Sequence, residues 1–146
     1  MNALAGIDFT LMPGTGTLDI AGARPSGDVV PFYRMEGRMA VTARMGRESL
    51  KLILDSGATH IILFRTPAAM AKSPAIRAVF GTLEGARLAV PTCWTADMAF
   101  TSGLRFGTLP AAIVARPGTH VDGLVPASLF RKIYVDQARG EAVFVQ

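Results

Sequence analysis

The 146-residue chain has one cysteine, Cys93, and two histidines, His60 and His120. A single cysteine allows no internal disulfide and no cysteine-based zinc site. The histidines lie far apart and form no HExxH-like pattern, so neither a metal nor a cofactor is expected. Half of the residues are hydrophobic, and the mean hydropathy is +0.35. Yet no apolar run approaches the roughly 18 residues that a membrane-spanning helix needs. The opening MNALAGIDFTLMPG lacks the basic start and long apolar stretch of a signal peptide. This predicts a cytoplasmic chain if the sequence is complete. It predicts a periplasmic or secreted one if the sequence is a segment of a longer exported protein.

Basic clusters are also absent. The net charge of +4 comes from twelve Arg and three Lys against eleven acidic residues, and the arginines are scattered singly. None alternates with aromatics in a patch, so a nucleic-acid face is not expected despite the sequence pI near 9.8. A length of this order suits one domain with a real core.

What is present is a series of short strand patterns. Residues 7–12 and 17–21 flank Pro13-Gly14-Thr15-Gly16, and residues 22–28 form a connector rich in turn formers. The Gly-Thr-Gly is not a phosphate loop, because no Gly-Lys-Ser/Thr follows it. Strands are predicted over residues 29–35 and 39–45, with a Gly46-Arg47 turn into residues 49–54. Residues 66–78 form the best helical stretch, interrupted by Pro74. Further strands are predicted over 79–83, 87–93, 96–100, 104–106 and 109–115. A single helical turn follows over 126–132, and a last hairpin over 133–136 and 141–145. Many short strands and almost no helix imply an all-β barrel or sandwich. The two ends of the chain also echo one another: Ile7-Asp8-Phe9 followed by GTGTLDIA is like Tyr134-Val135-Asp136 followed by RGEAVFVQ.

Chemistry concentrates in LKLILDSGATHIILF, residues 50–64. Leu50, Leu52 and Leu54 alternate with Ser49, Lys51 and Ile53, the period of a strand with one buried face. Asp55 stands where this strand ends. A carboxylate among apolar residues must be hydrogen-bonded, paired or protonated. Gly57 allows an unusual backbone angle and close N–H groups, and Ser56 adds a hydroxyl. Asp-Ser-Gly is also ordinary turn material, so the tripeptide alone identifies no site.

Three separated segments together resemble the retropepsin-type aspartic proteases, in their bacterial group of single-lobe aspartyl protease domains. LILDSGATHIIL matches the apolar-apolar-Asp-Thr/Ser-Gly-Ala signature. SGLRFGTLPAAIVA, residues 102–115, is similar to the strand, Gly and apolar strand that precede the family's closing motif. DGLVPASLFRKIYVDQARGEAVF, residues 122–144, is similar to its Asp-Gly-apolar-apolar segment, short helix and final hairpin. The resemblance covers residues 29–146. It implies a retropepsin-like acid-protease barrel with one or two short helices. It also implies an aspartic endopeptidase acting on peptides or unfolded proteins, with Asp55, Ser56 and Gly57 catalytic. Ser56 would hydrogen-bond across a dimer axis, and Gly57 would help hold the carboxylates coplanar. Ala58 and Thr59 would touch substrate, as would Glu84 and Gly85 in residues 83–86, the tip of a flap hairpin. Tyr33 and Trp94 are candidates to line substrate pockets. One position departs from the family pattern, because Pro126 follows Leu124-Val125 where Gly is usual.

One carboxyl cannot both take a proton from water and give one to a carbonyl; two sharing a proton can. The chain offers one Asp in this setting, so the second must come from a homodimer partner or another lobe. Residues 1–28 would then be dimer-sheet strands or the remnant of a preceding lobe. Two other readings stand beside this one. The first is a catalytically inactive peptide-binding or dimerisation module of the same fold. The second is a serine hydrolase using Ser56, ranked last because no Gly-x-Ser-x-Gly elbow is present.

Overall fold

A computed structural model describes residues 6–20, 22–35, 37–68, 76–81 and 87–146; residues 76–81, 87 and 88 are described by their backbone alone. The described residues include fourteen strands: β1 (Phe9–Met12), β2 (Thr17–Asp19), β3 (Asp28–Met35), β4 (Arg38–Met45), β5 (Glu48–Asp55), β6 (Ile61–Leu63), β7 (Ile76–Gly81), β8 (Arg87–Trp94), β9 (Met98–Phe100), β10 (Arg105–Phe106), β11 (Pro110–Ile113), β12 (Gly123–Pro126), β13 (Lys132–Asp136) and β14 (Glu141–Val145). The protein is all-β. Among the described residues the only helical element with defined ends is a 3-10 turn, Ala127–Leu129. It lies where the sequence predicts a helical turn over residues 126–132.

Local alternation marks strands such as β5, and long-range pairing orders them. In β5, Leu50 and Leu52 are fully buried on the core side, each worth about 1.5–3 kcal/mol of apolar burial. Directly opposite on β4, Ala43 faces Leu50 and Val41 faces Leu52. The core continues through Val125 of β12 and Ile61 and Leu63 of β6. It closes on an aromatic group, in which Phe130 stacks on Phe144 at 4.2 Å between ring centroids. Phe100 packs against both, at 6.0 and 5.9 Å.

Two expectations are corrected. The pairing path runs β2-β1-β13-β14-β3-β4-β5-β12-β6-β11-β8-β7, so the sheet is open and no closed barrel forms. Each end of the path is extended by a hairpin, β1–β2 on β13 and β7–β8 on β11, and the two end strands β2 and β7 do not pair with each other. The predicted helix over 66–78 ends differently too. Ile76, Arg77 and Ala78 belong to β7, where they pair with Thr92, Pro91 and Val90 of β8. Pairing with a distant strand overrides a weak local helical preference. Residues 69–75 of that stretch lie outside the described residues.

Candidate active site

Strands β5 and β6 follow one another in the chain but do not pair. Strand β12, about seventy residues later, lies between them, parallel to β5 and antiparallel to β6. Its first residue explains how it fits. A Cβ on Gly123 would stand 2.1 Å from the Ile62 carbonyl oxygen, so only glycine permits this approach. At the other end, Pro126 lies opposite Asp55 in register. The loop from Ser56 to His60 therefore crosses the end of β12, with Asp55 at its first shoulder.

The half-buried Asp55 shares its sheet face with Ile53 rather than with Leu52 and Leu54. Its neighbours there are Ile53, which is buried, and Leu124, directly opposite Ile53. The Gly57 N–H donates to Asp55 Oδ1 at 2.8 Å. No described residue donates to Oδ2. Gly57 does this without a left-handed backbone angle, since its φ is not positive. The unusual angle expected of Gly57 is thus not what it contributes. It contributes a donor and the absence of a side chain beside the carboxylate, which its Cβ would approach to 3.4 Å.

Ser56 and Thr59 are exposed and Ala58 is half-buried. The Thr59 hydroxyl and His60 Nδ1 are 2.9 Å apart, so this ring nitrogen is engaged by Thr59. The flap candidates Glu84 and Gly85 lie outside the described residues. The last described pair of the β7–β8 hairpin on either side of them is Gly81–Arg87. Trp94 is half exposed. Tyr33 lies on the Asp55 side of the sheet, opposite Ala40, which is itself opposite Ile53. The Tyr33 hydroxyl is buried without a hydrogen-bond partner. Pro126 has φ −69° and ψ 133°, an extended conformation that suits proline. It has no N–H to offer the loop above it.

A second set of residues steadies this unit from the far end, and sequence reading did not single it out. Asp122 Oδ2 accepts the Lys51 N–H at 2.8 Å, and Oδ1 accepts Arg65 Nε at 2.8 Å. Arg65 also bonds Glu48 at 2.6 Å, and Glu48 accepts the Ala68 N–H. Asp122 thus ties β5 and the segment after β6 to the start of β12. The Arg65 guanidinium, then the Ala68 N–H, holds the Glu48 carboxyl below its ordinary range. Only the Asp122-Gly123 pair hinted at this in the sequence, because the Arg65 and Glu48 contacts are long-range.

Among the described residues, no group of three or more His, Cys, Asp or Glu side chains could hold a metal ion. No helix there is long and apolar enough to cross a membrane. A cavity of about 330 Å³ lies elsewhere, lined by Arg44, Ser49, Ala99 and Arg105 among others. No family model matches the chain, and no curated protein matches its sequence. Taken by itself, the site is one carboxylate held by one donor. It can accept or release a proton but cannot do both in one step.

Proposed function

We propose that the chain is an aspartic-type endopeptidase of retropepsin-like fold, with Asp55 as one half of a paired-carboxyl site. The observation that carries this reading is the seat of Asp55. It ends β5 where the Ser56–His60 loop crosses the end of an inserted strand, with one oxygen held by Gly57 and no described donor on the other. The motif order noted in the sequence supports it as well.

In this mechanism a second Asp, from a homodimer partner or another lobe, shares one proton with Asp55. The ionised carboxyl takes a proton from water as the water oxygen bonds to the peptide carbon. The neutral carboxyl gives its proton to the carbonyl oxygen. Collapse of the resulting diol breaks the C–N bond, and the nitrogen leaves with a proton returned from the pair. No covalent intermediate forms. Unstructured peptides with apolar side chains are the substrate class, because half-buried Leu124 lies beside Asp55 on the same sheet face.

Asp55→Asn should lower kcat/KM on an unfolded protein substrate by at least about a thousandfold, with an unchanged circular dichroism spectrum. A variant that cleaves as fast as the parent overturns the mechanism. Pro126 favours a second reading, a non-catalytic peptide-binding module. It places a residue without an N–H opposite Asp55. That reading requires saturable peptide binding by the parent chain with no product after prolonged incubation.

A further inference from the structure

The two hairpins at the ends of the chain lie side by side in the order β2-β1-β13-β14. Each closes with a four-residue loop, between the pairs Met12–Thr17 and Asp136–Glu141. Each loop ends on a glycine with φ 64°, Gly16 and Gly140. Matching the closing pairs makes Phe9 equivalent to Ile133, Thr10 to Tyr134, and Leu11 to Val135. On the outer strands Leu18 matches Ala142, and Ile20, in the bend just past β2, falls at the position of Phe144. The observed cross-pairs obey this match: Phe9–Val135 and Leu11–Ile133 exchange, and Thr10–Tyr134 maps onto itself. A local twofold axis therefore passes between Thr10 and Tyr134.

Any antiparallel strand pair has such an axis. Here it extends over both hairpins, their loops and the chemistry of their inner faces. Ile133, Val135, Ala142 and Phe144 form the floor of the core and are fully buried. Their equivalents Phe9, Leu11, Leu18 and Ile20 are also apolar, and Phe9, Leu11 and Leu18 lie on the same side of the sheet. Phe9 and Leu11 are only partly covered, and Leu18 and Ile20 are 45% and 59% exposed. Phe9 and Leu11 pack against this core, and the apolar residues run on past them to Leu18 and Ile20, which the described residues leave exposed.

We infer that the β1–β2 hairpin is the closing hairpin of a second domain of the same fold, carried on the N-terminal side of β1 and packed on Phe9, Leu11, Leu18 and Ile20. A second copy of the present chain does not fit this place, because its own β13–β14 already floors its core. Such a domain is also a source for the second carboxyl that Asp55 needs. The inference rests on the hairpin geometry and goes beyond the catalytic reading.

The test extends the full chain with a copy of its own residues 28–131, joined so that Arg131 of the copy precedes Asp8. All variants carry Asp55→Asn, so the readout is folding alone. The expected result is a protease-resistant species that includes the added copy, with hydrogen-exchange protection gained at Leu18 and Ile20. Adding L18D and I20D should release the added copy to proteolysis and leave the original domain resistant. An added copy that is digested regardless, or that resists regardless of L18D and I20D, overturns the inference. So does a symmetric dimer of the unextended chain that protects Leu18 and Ile20.

Discussion

The hairpins β1–β2 and β13–β14 share loop length, register and an apolar inner face, yet one is buried and the other half bare. Phe144 is fully covered, whereas its counterpart Ile20 is 59% exposed. The outer faces differ as well. On the closing hairpin, buried Asp136 accepts Arg24 Nη1 and the Arg139 N–H, each at 3.0 Å. Arg24 reaches on to Glu141 at 2.9 Å, so the connector before β3 is laid across that hairpin. The comparison teaches that hairpin shape is local, while the worth of an apolar face depends on what stands opposite it.

The largest effect should separate the two faces. Phe144→Ala should cost about 3–5 kcal/mol in urea unfolding, because it opens a cavity among packed rings. Ile20→Ala should stay within about 0.5 kcal/mol. If Ile20→Ala costs as much as Phe144→Ala, the overhang packs on this domain's own core and the comparison fails.

The loops are where the hairpins should behave alike. Gly16 and Gly140 share φ 64°, and an added methyl meets nothing at Gly16 and only the Phe32 carbonyl at 3.6 Å at Gly140. Gly16→Ala and Gly140→Ala should each cost about 1–2 kcal/mol from backbone strain. Unfolding of the two variants side by side would expose any asymmetry.

The smallest effect concerns the axis pair. Tyr134 is buried and donates its hydroxyl to Asp8 Oδ2 at 3.3 Å. Burial first, then the Asp8 carboxylate, pushes the phenol above its ordinary value. Its folded pKa is therefore the higher one. The associated stability is complete below about pH 10 and is lost as pH rises through the folded value. Tyr134→Phe should remove this alkaline step in a melting-temperature profile. Changing Thr10, which does not titrate, should not.

Much of the local structure was legible in the chain. Alternation of Leu50, Leu52 and Leu54 located β5 and its buried face, and the placement of Asp55 at its end held. The likeness of the two terminal segments also pointed at the two hairpins. Its register did not survive, since Ile7-Asp8-Phe9 was set against Tyr134-Val135-Asp136 whereas the paired loops set Met12 against Asp136. Asp8 instead accepts the Gln137 N–H at 2.8 Å. Ile53 was read as the polar-side partner in the alternation, yet it is buried. Neighbouring strands on that face also carry small or apolar residues, Ala40 and Leu124.

What the sequence determined by itself was the alternation that makes strands, the turns that separate them and the acid at the mouth of β5. These depend on neighbours two to four residues apart, where side-chain chemistry is decisive. Only the tertiary structure decided that β12 enters between β5 and β6, that Asp122 and Arg65 clamp the far end, and that the sheet stays open. A period of two says which face a residue shows and nothing about which strand lies beside it. That choice is made by backbone hydrogen bonds and close contacts between distant residues, such as Gly123 against the Ile62 carbonyl.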